Sequence, residues 1–207
     1  MPASVKPSAR TKILAAARDV IRAKGYAATS VDDLCVAAGV TKGGFFHHFK
    51  SKEDLAVAAA DSWPQTLDEL FAAAPYHAYA TPLERVLGYI DFRRAILGGD
   101  LAKCTCLPGT MVQEAFATSP AIRAACARAI TGHAAKIEDD IAAAIEAHGL
   151  EPTWSAESLS LHVQAVLQGA FILAKACGAE VGVQSIDHLR RYVEMLFATP
   201  NRGEKSQ

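Results

Sequence analysis

The chain has 207 residues, 51% of them hydrophobic, and a formal net charge of −1. That apolar content can bury a real core, as one large domain or a small one joined to a larger one, and no run of about 18 apolar residues is free of charge, which argues against a membrane span. Five cysteines at irregular spacing argue against a disulfide framework, the opening "MPASVKPSARTK" has no apolar stretch of a secretory signal, and a cytoplasmic protein is expected.

The net charge conceals an asymmetry. Residues 1–55 hold nine Lys/Arg and five Asp/Glu, and the remainder holds twelve against seventeen. Lys6, Arg10, Lys12, Arg18, Arg22 and Lys24 all precede Gly25. They point either to an anionic partner at this end or to a solvated helix face.

Ser8 caps a predicted first helix in which Ile13, Leu14, Ala17, Val20 and Ile21 recur at helical spacing and which Gly25 ends. In "TSVDDLCVAAG", Thr29 or Ser30 caps a second helix, Asp32 and Asp33 occupy its electropositive first turn, and Val31, Leu34 and Ala38 form the inner stripe. Gly39 turns the chain, Thr41 caps a third helix, and the capping box "SKED" at 51–54 opens a fourth. Three short helices with a glycine turn between the second and third spell helix-turn-helix.

Farther on, the pattern predicts helices over 52–73 (bent at Pro64), 82–98, 109–117, 120–148, 155–177 and 184–198, separated by the turn signals "AAAPYHAYATP", "GGD", "CLPG", "TSP", "HGLEPTWS" and "CGAEVGV". The expected fold is all-α with about nine helices. An N-terminal helix-turn-helix domain over 1–51 precedes a larger helical domain over 52–207.

The segment "GVTKGGFFHHF", residues 39–49, places two glycines in the first turn of the third helix, although each costs about 1 kcal/mol relative to alanine. At about 100° per residue, Phe45 and Phe49 share the side that packs inward. Gly43, Gly44 and His47 lie opposite, with Lys42 and Phe46 on one margin and His48 on the other. A face without bulk lets the helix N-terminus and its free N–H groups approach a phosphate or a base edge. The glycines are therefore expected to exchange helix stability for close approach to DNA.

Residues 13–55, "ILAAARDVIRAKGYAATSVDDLCVAAGVTKGGFFHHFKSKEDL", resemble the DNA-binding domain of TetR/AcrR-type transcriptional repressors through the "AAGVTKG" turn, the aromatic pair before "HHF" and the "SKE.L" opening of the next helix. The resemblance implies that the third helix docks in the major groove. Thr41, Lys42, Gly43, Gly44, His47 and His48 would then face bases or nearby phosphates, and Thr29 and Lys52 would hold the backbone. Phe46 stands where such proteins usually carry tyrosine, so contact there would be van der Waals. The implied function is a repressor that binds a palindromic double-stranded DNA operator as a homodimer and is released by a small-molecule effector, with no cofactor and no metal.

For the effector, the candidate pocket residues are Tyr89, Phe92, Ile96, Cys106, Met111, Phe116 and Cys126, apolar residues partly at helical spacing that serve equally as core. The stretch "CTCLPGTMVQE", 104–114, resembles the "C-L-x-G-N" segment of a subgroup of these repressors, some of which respond to electrophiles or unsaturated acids; Cys106 matches the motif's cysteine, and Thr110 replaces its asparagine. A cysteine just before a helix N-terminus gains thiolate character, so the alternative function is a redox- or electrophile-sensing switch with Cys106 as sensor and Cys104 as a resolving partner. The other reading is a buried, inert thiol.

Assembly is expected through the last two helices. Leu159, His162, Val163, Val166, Gly169, Ala170 and Leu173 fall near one side of 155–177, and Ile186, Leu189, Val193, Leu196 and Phe197 on one side of the last helix. Small residues allow close approach, so Val166, Gly169, Ala170, Leu173, Leu189, Val193 and Leu196 are the expected surface of a four-helix dimer interface. No G-x-S-x-G elbow, H-E-x-x-H, phosphate-binding glycine loop or Rossmann fingerprint occurs, and adjacent His47 and His48 diverge too far to share a metal. An enzyme is not expected. A helical scaffold without DNA binding is the third reading.

Overall fold

The structure, a computed structural model, describes residues 7–97 and 105–198. Lys6, the "GGD" turn and Cys104 lie outside the described residues.

Local chemistry builds the N-terminal helices. α1 (Ala9–Lys24) starts where the Ser8 side chain accepts the Thr11 N–H and stops at Gly25, whose φ of 90° a side chain would resist. α2 (Val31–Ala38) opens with a reciprocal box: the Ser30 hydroxyl accepts from Asp33 N–H, and Asp33 accepts from the Ser30 backbone. Gly39 then closes it in the left-handed region, φ 63°. α3 (Lys42–His48) is capped by Thr41, and α4 (Lys52–Asp61) by Ser51.

The remaining helices are α5 (Trp63–Ala72), α6 (Pro82–Leu97), α7 (Leu107–Ala115), α8 (Pro120–Ala134), α9 (Glu138–Ala147), α10 (Ala156–Cys177) and α11 (Ala179–Phe197), with single 3₁₀ turns at Pro75–Ala78 and Ala135–Ile137. No strand occurs among the described residues.

Four boundaries differ from the sequence expectation, the first being that the helix expected over 109–117 runs over Leu107–Ala115, with Pro108 in its first turn. The segment 52–73 is two helices: Ser62 ends α4 with its hydroxyl on the Ala59 carbonyl, and Pro64 sits in the first turn of α5, where no N–H is needed. The segment 120–148 is broken by the 3₁₀ turn, and Glu138, Asp139 and Asp140 fill the positive first turn of α9. The last helix begins at Ala179 rather than 184, because Gly178 alone makes the turn. Gly182 is a packing residue inside α11: a Cβ there would lie 2.7 Å from the Ala170 carbonyl oxygen and 2.8 Å from Leu97. Glycine at 182 lets α11 approach α10 and α6 closely.

The helices form two compact units, one from the chain through Leu70 with the segment ending at His133, the other from Phe71 through α6 with the chain from Ala134 onward. In the first, Ile13, Ile21, Leu34, Phe45, Phe49, Leu55 and Trp63 share one buried cluster with Leu107, Met111, Ile122 and Cys126. In the second, Val86, Tyr89, Ile90 and Leu97 of α6 are buried, as are Leu167, Ala170 and Phe171 of α10 and Ile186, Leu189, Val193 and Phe197 of α11. α10 is long and apolar enough to cross a membrane by length and composition, but one of its faces is in this core.

Candidate nucleic-acid interface

α3 is seven residues long and has two unlike sides. Phe45 and Phe49 are fully buried, their ring centroids 6.0 Å apart. Around the helix from them, Thr41, Lys42, Gly43 and His47 are exposed, Gly44 and His48 half-buried, and Phe46 is 50% exposed with its ring edge-on to Phe45. The imidazoles of His47 and His48 meet edge to face, centroids 4.9 Å apart.

The folded chain itself does not require glycine here. A Cβ on Gly43 would meet only the Thr41 hydroxyl at 3.9 Å, and one on Gly44 would sit 3.4 Å from the same oxygen. Both φ values are outside the left-handed region. The space is open outward, beside the Thr41 hydroxyl that accepts the Gly44 N–H at 3.1 Å.

Several cations are already engaged. Lys42 pairs with Asp32 at 2.9 Å, which raises its pKa. Lys24 pairs with Asp33 at 2.7 Å, and this hydrogen bond together with those from Ser30 holds the Asp33 carboxyl well below the usual carboxylate range. Arg22 donates to the Thr105 carbonyl and stacks on Trp63, and Arg18 donates to Thr66. Arg10 lies over Phe49, 5.4 Å from the ring centre. The N-terminal positive charge is therefore less available than its count implies.

Two residues are placed otherwise than the family resemblance implies. Thr29 is 1% exposed, and its hydroxyl donates to the Gly25 carbonyl at 2.6 Å. Lys52 donates to the carbonyls of Tyr26 and Thr29 at 3.1 and 2.9 Å, with its ammonium 4.4 Å from the Tyr26 ring centre. The Thr29 hydroxyl is thus used inside the α1–α2 turn, and the half-buried Lys52 ties that turn to the start of α4. Two exposed residues the sequence reading did not single out are Val36, 84% exposed and well off the Val31, Leu34, Ala38 stripe, and Lys50 just past α3.

The effector candidates divide between the units. In the second unit, Tyr89 and Phe92 join a ring cluster with Phe71 and Tyr76, and Ile96 is half-buried one turn on. Burial pushes Tyr76 up to about 12, helped by Tyr89 and Asp140. In the first, Met111 and Cys126 are buried in the same cluster as α1–α4 and so belong to its core; burial pushes the Cys126 thiol up to about 12. Phe116 is 59% exposed and lines no interior. Cys106 is half-buried and caps α7, its sulfur accepting the Gly109 N–H at 3.5 Å.

The dimer candidates also divide. Ala170, Leu189 and Val193 are buried in the chain's own α10–α11 packing, Val166, Gly169 and Leu196 are half-buried, and Leu173 is exposed. Apolar periodicity found the inner seam; the outward row is Leu161, Ile172, Leu173, Val181, Tyr192 and Met195.

A compact N-terminal module whose third helix is apolar inward and carries glycine and histidine outward, followed by an all-helical body, defines a helix-turn-helix transcriptional regulator. The chain belongs to the tetR family of bacterial regulatory proteins: residues 13–59 match that family's N-terminal domain, and 82–186 match the C-terminal domain described as transcriptional regulator LmrA/YxaF-like. It is 27% identical to the transcriptional regulator AcuR of Cereibacter sphaeroides over 56% of this chain and 53% of that protein. Against the HTH-type transcriptional regulator TtgR of Pseudomonas putida it is 35% identical over 36% of this chain and 35% of that one. The matches thus span about half and a third of these relatives' lengths. A TetR transcriptional regulator from Chloroflexus aurantiacus superposes with a TM-score of 0.78 at 26% identity, covering 90% of this chain and 94% of that one. The family is one of bacterial transcriptional regulators.

Proposed function

We propose that the chain is a homodimeric repressor that sets α3 of each protomer in the major groove of a palindromic operator and leaves it when a small-molecule effector binds. The observation that carries this reading is the bare outer side of α3, where Gly43 lies in open space although the fold tolerates a side chain there. Thr41, Lys42, Gly43, Gly44, Phe46, His47 and His48 are the contacting set, with Lys50 and Val36 added. Thr29 and Lys52 act indirectly, by holding the α1–α2 turn. Residues 1–51 are the DNA-reading part and 52–207 the effector-binding and dimerisation part, working in the cytoplasm. Gel-shift titration against DNA upstream of its own coding region, with and without a scrambled half-site, tests this. Equal affinity for both DNAs defeats it.

Dimerisation is assigned to the outward row of α10 and α11. Leu161 and Ile172 on α10 and Tyr192 and Met195 on α11 are exposed, and His162 and Tyr192 meet across the two helices, ring centroids 5.2 Å apart. A twofold axis over this surface forms a four-helix bundle.

A second reading has its own observation. The Cys106 sulfur is the N-cap of α7, the adjoining Thr105 carbonyl accepts from Arg22 of α1, and Glu114 at the other end of α7 accepts the Ala27 N–H at 2.6 Å. Alkylation of Cys106, with loss of the thiol proton, removes the cap from a helix tied at its two ends to α1 and to the α1–α2 turn. Cys106→Ser keeps a cap, serine being a preferred one, and removes the nucleophile. An electrophile that releases operator from wild type and equally from Cys106→Ser refutes the thiol switch.

A further inference from the structure

α10 carries two glutamines one turn apart, Gln164 and Gln168, in the second unit. Gln164 is 4% exposed, and its Oε1 meets no donor; the Nε2 of Gln168 is a buried atom that meets no acceptor. A buried amide atom without a partner is costly, and native proteins leave few of them. Leucine would fill either position with similar volume and no such cost. Within the fold neither of these two atoms has a partner.

Their surroundings are aromatic and hold one buried cation. Phe171 lies one turn beyond Gln168 and, at about 100° per residue, within about 20° of Gln164 around the helix. The Phe171 ring carries the Arg93 guanidinium of α6, 5.1 Å from its centre, and Arg93, itself 5% exposed, donates to the Tyr89 hydroxyl at 3.2 Å. The face of α10 that bears the two open amide atoms also bears Phe171, which meets Arg93 of α6, and Tyr89 of α6 and Phe71 of α5 are buried in the same unit.

The open atoms specify a chemistry. Gln164 Oε1 needs a donor, and Gln168 Nε2 needs an acceptor. A carboxylate supplies no donor, and an ammonium supplies no acceptor, so either ion leaves one atom unpaired in a site that already desolvates it. A neutral carboxamide or alcohol supplies both. We propose that this face of α10 binds a small uncharged molecule with an apolar or aromatic body and a head group that offers a donor and an acceptor side by side. The proposal rests on the reading that the second unit houses the effector, and it names that effector's class.

The test uses the full chain and isosteric probes on one ring: benzamide and benzyl alcohol, which carry both roles, against benzoate, benzylammonium and toluene, which do not. Titration calorimetry is expected to give benzamide or benzyl alcohol an affinity about tenfold or more above the other three, and the stronger of the two identifies the head group. Gln164→Leu and Gln168→Leu each reduce that probe to the level of toluene, while both variants melt at or above the wild-type temperature because an unpaired group is gone. The two substitutions are read independently, so failure of one to fold leaves the other decisive. Wild type that binds the paired probes no better than toluene overturns the proposal, the glutamines then holding trapped water only. So do leucine variants that keep wild-type affinity. Operator release is read separately by gel shift: probe binding without release supports the site and refutes only its coupling to DNA.

Discussion

The Lys52 ammonium donates to the Thr29 carbonyl at 2.9 Å, joining the start of α4 to the turn that leads into α2. A lysine so placed ties the α1–α2 turn to the start of α4, and under the proposed function its part is stabilising rather than a phosphate contact. Lys52→Met should cost about 1.5–3 kcal/mol of stability, the range for hydrogen bonds involving a charged group, and leave the salt dependence of operator binding nearly unchanged. Lys50→Ala, an exposed charge beside α3, should instead lower the slope of log affinity against log salt by about one unit with little effect on melting. A Lys52→Met slope that falls by a full unit would restore it as a phosphate contact.

Gly43 separates folding from reading. With nothing nearer than the Thr41 hydroxyl at 3.9 Å, Gly43→Ala should raise stability by up to about 1 kcal/mol through helix propensity and weaken operator binding, because the added methyl stands where DNA must approach. His47→Ala should lose about 1–3 kcal/mol of specific affinity at constant melting temperature. Anisotropy titrations and thermal melts on the same samples check both, and a Gly43→Ala protein that binds as wild type contradicts the close-approach account.

For assembly, Ile172→Arg and Met195→Glu should yield folded monomers by analytical ultracentrifugation, with operator affinity falling because two half-sites about 34 Å apart are no longer held together. Ala170→Arg and Leu189→Glu should behave differently. Both positions are buried within the chain, so charge there should unfold the protein rather than split it. Dimers that persist in both surface variants move the interface elsewhere.

Asp33 supplies a pH dependence with a definite sign. Its folded pKa is held below the ordinary 3.8 by Lys24 and by Ser30, so its stabilisation is fully present above that value and is lost as pH falls from there toward the depressed one. The melting-temperature difference between wild type and Asp33→Asn should be constant near neutrality and shrink in acid. A difference that is flat through the acid range removes the capping box as its source.

Much of the DNA-reading module was legible because its determinants are local. Ser8, Ser30, Thr41 and Ser51 cap the residues that follow them, Gly39 takes a conformation few other residues accept, and Phe45 and Phe49 need only the helical repeat to share a side. The same reasoning misjudged Gly182, since a glycine that permits close packing and one that makes a turn look alike until the opposing Ala170 carbonyl is in place. Likewise, the apolar repeat of α10 and α11 marked Ala170, Leu189 and Val193 without saying whether their cover came from the same chain or another.

The sequence by itself determined the helical class, the helix-turn-helix and the two-sided character of α3, because periodicity, capping and glycine conformation act over a few residues. Only the tertiary structure decided which cations are engaged, that Thr29 is buried and Lys52 bonds the Tyr26 and Thr29 carbonyls, that Met111 and Cys126 lie in the core with α1–α4, and that one amide atom each of Gln164 and Gln168 has no partner. Several of those facts depend on partners far away in the chain: Arg22 meets Thr105, Ala27 meets Glu114, and Arg93 meets Phe171. A side chain's availability is a property of what folds against it, and no local pattern encodes that.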